Sequence, residues 1–157
     1  MIVDIGMNHE TAPVELRELV AFGGHNIDEV MNSFRGIENI KEFMVLSTCN
    51  RVEILFTTDM EKEAKESVIE FLSHISGLKK EELGQTLYIY DNQDAIRHIF
   101  RVGASLDSMI VGEPQILGQV KDAYTKGEGV SAARPVDMPP VVDSPHVTFH
   151  LFAVAAI

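Results

Sequence analysis

Two short apolar runs lie close together in this chain: Phe43-Met44-Val45-Leu46, and Val52 through Thr57. Between them stands a polar stretch, Ser47-Thr48-Cys49-Asn50-Arg51. Runs of this length, rich in β-branched and aromatic residues, read as strands, and so small a gap forces them into a hairpin. The only cysteine therefore sits at the mouth of a hairpin, with a cation two residues on. Two readings stand for it. A lone cysteine in a globular chain is most often a small buried hydrophobe. A thiol beside a positive charge in a polar loop is also where a nucleophile works, because a nearby cation favours the reactive thiolate. Arg51 has its own second reading, since its planar fork of donors suits a carboxylate.

The rest of the chain alternates between the same two periodicities. Met1–Met7 reads as a strand, followed by a polar turn with Thr11 as N-cap and Pro13 in the first turn of a helix over 14–22. A second helix runs from Asn26 or Asp28 to Gly36, with Ile27, Val30, Met31 and Phe34 on one face. The hairpin strands are 42–47 and 52–57. A helix over 59–75 ends at Gly77, and 79–83 adds a helical turn. Leu87–Tyr90 forms a fourth strand. Asn92 caps a further helix with Ala95, Ile96, Ile99, Phe100 and Val102 inward. This order predicts an α+β domain, a ferredoxin-like split βαβ arrangement of antiparallel sheet and flanking helices.

Beyond Gly103, small residues alternate with polar ones. Ser108, Glu113, Gln115 and Gln119 are the polar groups there that can fix a small polar ligand. Gln115 and Gln119 share a helix face at a spacing of four. Glu113-Pro114 equally suits the plain first turn of a helix. At 127–129, Gly-Glu-Gly is expected to end that helix. Pro135, Pro139, Pro140 and Pro145 then exclude a long regular element. The expected division is a domain over 1–126 and an atypical Pro-rich, apolar tail over 127–157, read as the product of a frameshift or of cloning.

The formal net charge of −11 argues against a broad surface for nucleic-acid phosphates, so any RNA contact should be local. No glycine-rich dinucleotide fingerprint, Walker-type loop or zinc-spaced Cys/His set occurs. No apolar stretch is long enough to span a membrane. With one cysteine and no signal-peptide pattern, a cytoplasmic setting is the default expectation.

Four segments together carry a resemblance. Thr48-Cys49-Asn50-Arg51-Val52-Glu53 resembles the N-terminal catalytic domain of the glutamyl-tRNA reductases. So do the opening segment Gly6 to Glu18, the histidine segment His98 to Ser108, and Val111 to Lys121. The resemblance covers 1 to about 125. It implies that Cys49 attacks the ester joining glutamate to its tRNA, and that NADPH reduces the resulting thioester to glutamate-1-semialdehyde in tetrapyrrole biosynthesis. It implies His98 as the activity-linked histidine. It makes Thr48, Asn50, Arg51, Ser108, Glu113, Pro114, Gln115 and Gln119 the substrate-binding set, with Arg51 on a glutamate carboxylate. His9 is a weaker candidate for the same pocket. The family's NADPH and dimerisation domains are expected to be missing here, so no cofactor-binding residue is expected in this chain. The resemblance implies no metal requirement, a homodimer in the full-length enzyme, and possible hand-over to the downstream aminomutase. The competing expectation is a non-enzymatic ferredoxin-like module that holds an amino acid or the tRNA acceptor end, with Cys49 structural.

Overall fold

A computed structural model describes residues 1–21, 27–107 and 115–131 of the chain. Its elements are β1 (Ile2–Asn8), α1 (Val14–Val20), α2 (Ile27–Arg35), β2 (Glu42–Ser47), β3 (Arg51–Thr57), α3 (Glu61–Ser76), α4 (Lys80–Gly84), β4 (Tyr88–Asp91), α5 (Gln93–Gly103) and α6 (Gln115–Ser131). The strands form one four-stranded sheet in the order β2-β3-β1-β4. Every neighbouring pair is antiparallel. The fold is thus α+β, an antiparallel sheet with flanking helices.

Alternation along the strands sends side chains to two different cores. Val3, Ile5 and Met7 of β1, Phe43 and Val45 of β2, and Val52, Ile54 and Phe56 of β3 pack under α1 to α4. There Phe34 of α2 meets Phe43 at 4.5 Å and Phe71 of α3 at 5.1 Å between ring centroids. The opposite face puts Met44, Leu46 and Leu55 against Ala95, Ile99 and Val102 of α5 and Ile116, Val120 and Ala123 of α6. On that second face β1 and β3 also carry Asp4, Arg51 and Glu53, all buried. The site grows from this polar inlay.

Most expected boundaries fall within two residues of those observed, and Gly77 ends α3 in the left-handed conformation at φ 70°. Three local expectations fail. Thr11 does not cap α1: Pro13 takes the N-cap position, and the Thr11 hydroxyl instead accepts from the Asn8 amide at 3.1 Å. Phe100 is not inward on α5; it is 38% exposed, and His98 turns inward at 7%. Nor do Gly127 and Gly129 end α6, which runs on to Ser131. Glycine costs a helix only about 1 kcal/mol, a penalty the rest of a 17-residue helix overrides. The tail's prolines lie outside the described residues.

Candidate active site

The β2–β3 hairpin is closed by a tight turn. Ser47 pairs with Val52 across the ladder, and the Thr48 amide donates to the Arg51 carbonyl at 2.9 Å. Cys49 and Asn50 are the two residues left at the tip. The Thr48 hydroxyl accepts from the amides of Asn50 and Arg51, both at 3.2 Å, which latches the turn from inside. From α1, Arg17 donates to the Cys49 carbonyl at 2.7 Å. A hydroxyl and a guanidinium therefore fix the backbone that carries the thiol, and the cysteine itself is free and exposed. Exposure removes the buried-hydrophobe reading of Cys49. Thr48 and Asn50 are half-buried beside it.

Arg51 departs from expectation. Its sequence position suggests a cation free to meet a ligand carboxylate, but it is 1% exposed, among the largest fully buried side chains. Its Nη1 donates to Glu53 Oε1 at 2.7 Å, and its Nη2 donates to the Asp107 carbonyl. The reason is local. Arg51 and Glu53 are two apart on β3, so both point to the face under α5, where each supplies the charge the other needs once out of water.

Glu53 is the hub. Its Oε1 also accepts from the Tyr88 hydroxyl at 2.6 Å and lies 3.0 Å from His98 Nε2. Burial pushes the Glu53 carboxyl up, but the His98 hydrogen bond and the Arg51 charge outweigh it and hold the group below its ordinary value. The Tyr88 hydroxyl is driven far upward by burial and by the charges of Glu53 and Asp4, so it stays a donor. This junction needs Gly6. It pairs with Glu53 on one side and Tyr88 on the other. A Cβ there would lie 2.8 Å from Glu53 Cγ, 2.9 Å from the Tyr88 hydroxyl and 2.7 Å from the Val52 carbonyl. The missing side chain is what lets tyrosine reach glutamate across β1.

His98 sits where α5 crosses this junction. Its ring lies 4.7 Å from the Tyr90 ring and 5.1 Å from that of Tyr88. Nδ1 is 3.5 Å from Asp107 Oδ2. Asp107 is gripped by Arg101, whose hydrogen bonds hold its carboxyl below the usual range. His98 and Asp107 also line a cavity of about 570 Å³, with Asn8, His9, Tyr90, Arg97 and Arg101 among its other walls. His9, the weaker sequence candidate, is thus in the same wall as His98. Asn8 pairs with Arg51, so this cavity opens at the end of the sheet that bears the cysteine turn.

Of the remaining expected site residues, Gln115 and Gln119 are both exposed on α6. Ser108, Glu113 and Pro114 lie outside the described residues. Sequence reasoning missed Asp4, Arg17, Glu53, Tyr88 and Asp107. Asp4 and Glu53 did leave a signal: each is a carboxylate at a core-facing register inside an apolar strand, which is rare without a partner. Arg17 left none, because its partner is a carbonyl far along the chain.

The class that fold and site define is an antiparallel α+β domain with an exposed, braced thiol at a hairpin tip and a buried ion cluster on the same sheet. The chain belongs to the family described as glutamyl-tRNAGlu reductase, N-terminal domain, whose model matches residues 5–136. Among similar curated proteins, the glutamyl-tRNA reductase of Solibacter usitatus is 46% identical over 127 residues, covering 81% of this chain and 30% of that protein. The one from Syntrophotalea carbinolica is 46% identical over 132 residues, covering 84% and 30%. Among solved structures, the glutamyl-tRNA reductase from Methanopyrus kandleri superposes with a TM-score of 0.64 at 27% identity, covering 85% of this chain and 30% of that one. The chain thus spans about 30% of the length of these relatives.

Proposed function

We propose that this chain is the ester-attacking part of an NADPH-dependent glutamyl-tRNA reductase. The observation that carries the reading is the exposed Cys49 on a turn braced by Thr48 and Arg17. The Cys49 sulfur would add to the carbonyl carbon of the glutamyl ester. A C–S bond forms, the C–O bond to the ribose breaks, and its electron pair leaves on the ribose oxygen. That oxygen needs a proton, and His98 in the cavity wall is our choice of donor. An aminoacyl ester is already activated, so a thiolate attacks it with little further help.

In this reading Thr48, Asn50, Ser108, Glu113, Pro114, Gln115 and Gln119 hold the glutamyl group. A guanidinium has five donors, so the bonds to Glu53 and Asp107 leave Arg51 some for a substrate carboxylate, reached by local opening. The scaffold we read as the split βαβ type, since β3 enters between β1 and β2 and β4 closes the far edge. Among the described residues no glycine-rich turn joins a strand to a helix N-terminus, and no hydride step is assigned to these side chains. The proposal carries with it tetrapyrrole biosynthesis, a cytoplasmic setting, a homodimeric full-length enzyme, and hand-over of glutamate-1-semialdehyde to an aminomutase. No helix among the described residues is long and apolar enough to cross a membrane.

A non-enzymatic module would give Cys49 a packing role, which its exposure does not support. The test is deacylation of glutamyl-tRNA by the chain in excess. Loss of ester faster than in buffer, abolished in Cys49→Ser, supports the reading. Equal rates for wild type and variant count against it.

A further inference from the structure

The polar inlay under α5 holds more charge than the turn chemistry uses. Asp4 is 0% exposed, and neither of its carboxylate oxygens has a hydrogen-bond partner among the described residues. Oε2 of Glu53, a residue 1% exposed, is in the same position. Buried carboxylate oxygens without donors need a positive species among them, either a proton or a cation.

The third member of the cluster points to which. His98 Nε2 lies 3.0 Å from Glu53 Oε1 and 3.8 Å from Asp4 Oδ2. One ligand atom from each of Asp4, Glu53 and His98 falls within 4.8 Å of the others. Separations of 3.0 and 3.8 Å match the edges of a coordination shell whose metal–ligand bonds are about 2.1 Å. An imidazole with two carboxylates suits a first-row divalent ion; magnesium and calcium take oxygen alone. The outer contacts fit as well. His98 Nδ1 faces Asp107 Oδ2 at 3.5 Å, the carboxylate–histidine arrangement that orients a metal-binding ring. Arg51 and Tyr88 both bond Glu53 Oε1, the oxygen 3.0 Å from His98 Nε2; an ion on Nε2 would replace that His98–Glu53 hydrogen bond and could also take the unpartnered Oε2. His98 and Asp107 line the cavity, so the imidazole can be reached from outside. Arg51 and Arg101 add opposing positive charges, but the three carboxylates Asp4, Glu53 and Asp107 outnumber them.

We propose that Asp4, Glu53 and His98 form a site for one first-row divalent cation, such as Zn²⁺ or Co²⁺, buried beneath the cavity wall. The site takes no ligand from the cysteine turn, though it shares His98 with the proposed ester chemistry. An ion bound there occupies His98 Nε2 and leaves only Nδ1 facing the cavity.

Titrating the chelator-treated full chain with Co²⁺ and following its visible absorption tests this directly. One equivalent should bind without a sulfur-to-cobalt charge-transfer band, and Cys49→Ser should bind alike. Asp4→Asn should abolish binding, and Asp107→Asn should weaken it roughly 10–100-fold. Far-UV circular dichroism establishes that each variant is folded. If Asp4→Asn is not, His98→Gln answers the same question and should also abolish binding. A folded wild type that takes up no ion, or a folded ligand variant that binds as tightly as wild type, overturns the proposal. The orphaned oxygens are then met by a proton.

Discussion

Replacing Arg51 by methionine keeps the side chain's bulk and removes its charge. Arg51 and Glu53 are each 1% exposed at their side chains, and 2.7 Å separates the paired atoms. Removing one partner of so buried a pair strands the other, at about 3–5 kcal/mol. For a chain of this size each kcal/mol moves the melting temperature by roughly 2–4 °C, so Arg51→Met should melt roughly 6–20 °C lower. Urea denaturation at pH 7 with chelator present gives the free energy. The double variant Arg51→Met/Glu53→Met should lose less than the two singles summed, because no charge is then stranded, with a coupling of about 1–3 kcal/mol. A loss below about 1 kcal/mol for Arg51→Met, or strict additivity, would refute the argument. It would return Arg51 to the role the sequence suggested, a cation free to meet a ligand.

Gly6→Ala should cost about 1–3 kcal/mol or more by urea denaturation, because its Cβ meets the Val52 carbonyl at 2.7 Å and wedges Tyr88 from Glu53. A neutral result would mean that β1 shifts freely. Cys49→Ser, at an exposed turn tip, should leave stability within about 0.5 kcal/mol of wild type, and a larger loss would show hidden packing of the thiol. Burial, then the charge of Glu53, holds the Asp4 carboxyl well above its ordinary value. The folded state therefore grips that proton more tightly than the unfolded chain, whose Asp titrates near ~3.9. This contribution is complete below that pH and lost as pH rises through the folded value. In chelator-treated protein, Asp4→Asn should thus gain stability over wild type as pH rises from about 4, and a flat difference between the two would contradict the assignment.

The hairpin was legible because its evidence is local: two apolar runs, a polar gap and one cysteine. The family was legible for the same reason, through contiguous motifs. The partners of those residues were not. Arg17 grips the Cys49 carbonyl across 32 positions of sequence, and Glu53 meets His98 across 45. Such pairings exist only once the sheet order is set. The error at α5 is instructive. Apolarity alone turns Phe100 inward, but the sheet beneath α5 is polar at Asp4 and Glu53, so the helix turns His98 toward it and leaves Phe100 at 38% exposure. The burial of Arg51 escaped the sequence reading for a related reason. Its place beside the cysteine suggests a shared task, yet strand alternation sends it to the buried face with Glu53.

The central claim is that Cys49 takes the glutamyl group. The direct measurement is to incubate the chain with tRNA charged with radiolabelled glutamate, without NADPH, and quench in acid. The account predicts label on the protein that survives acid, leaves with hydroxylamine and is absent in Cys49→Ser. Wild-type protein that carries no label, or label that persists in Cys49→Ser, would contradict it.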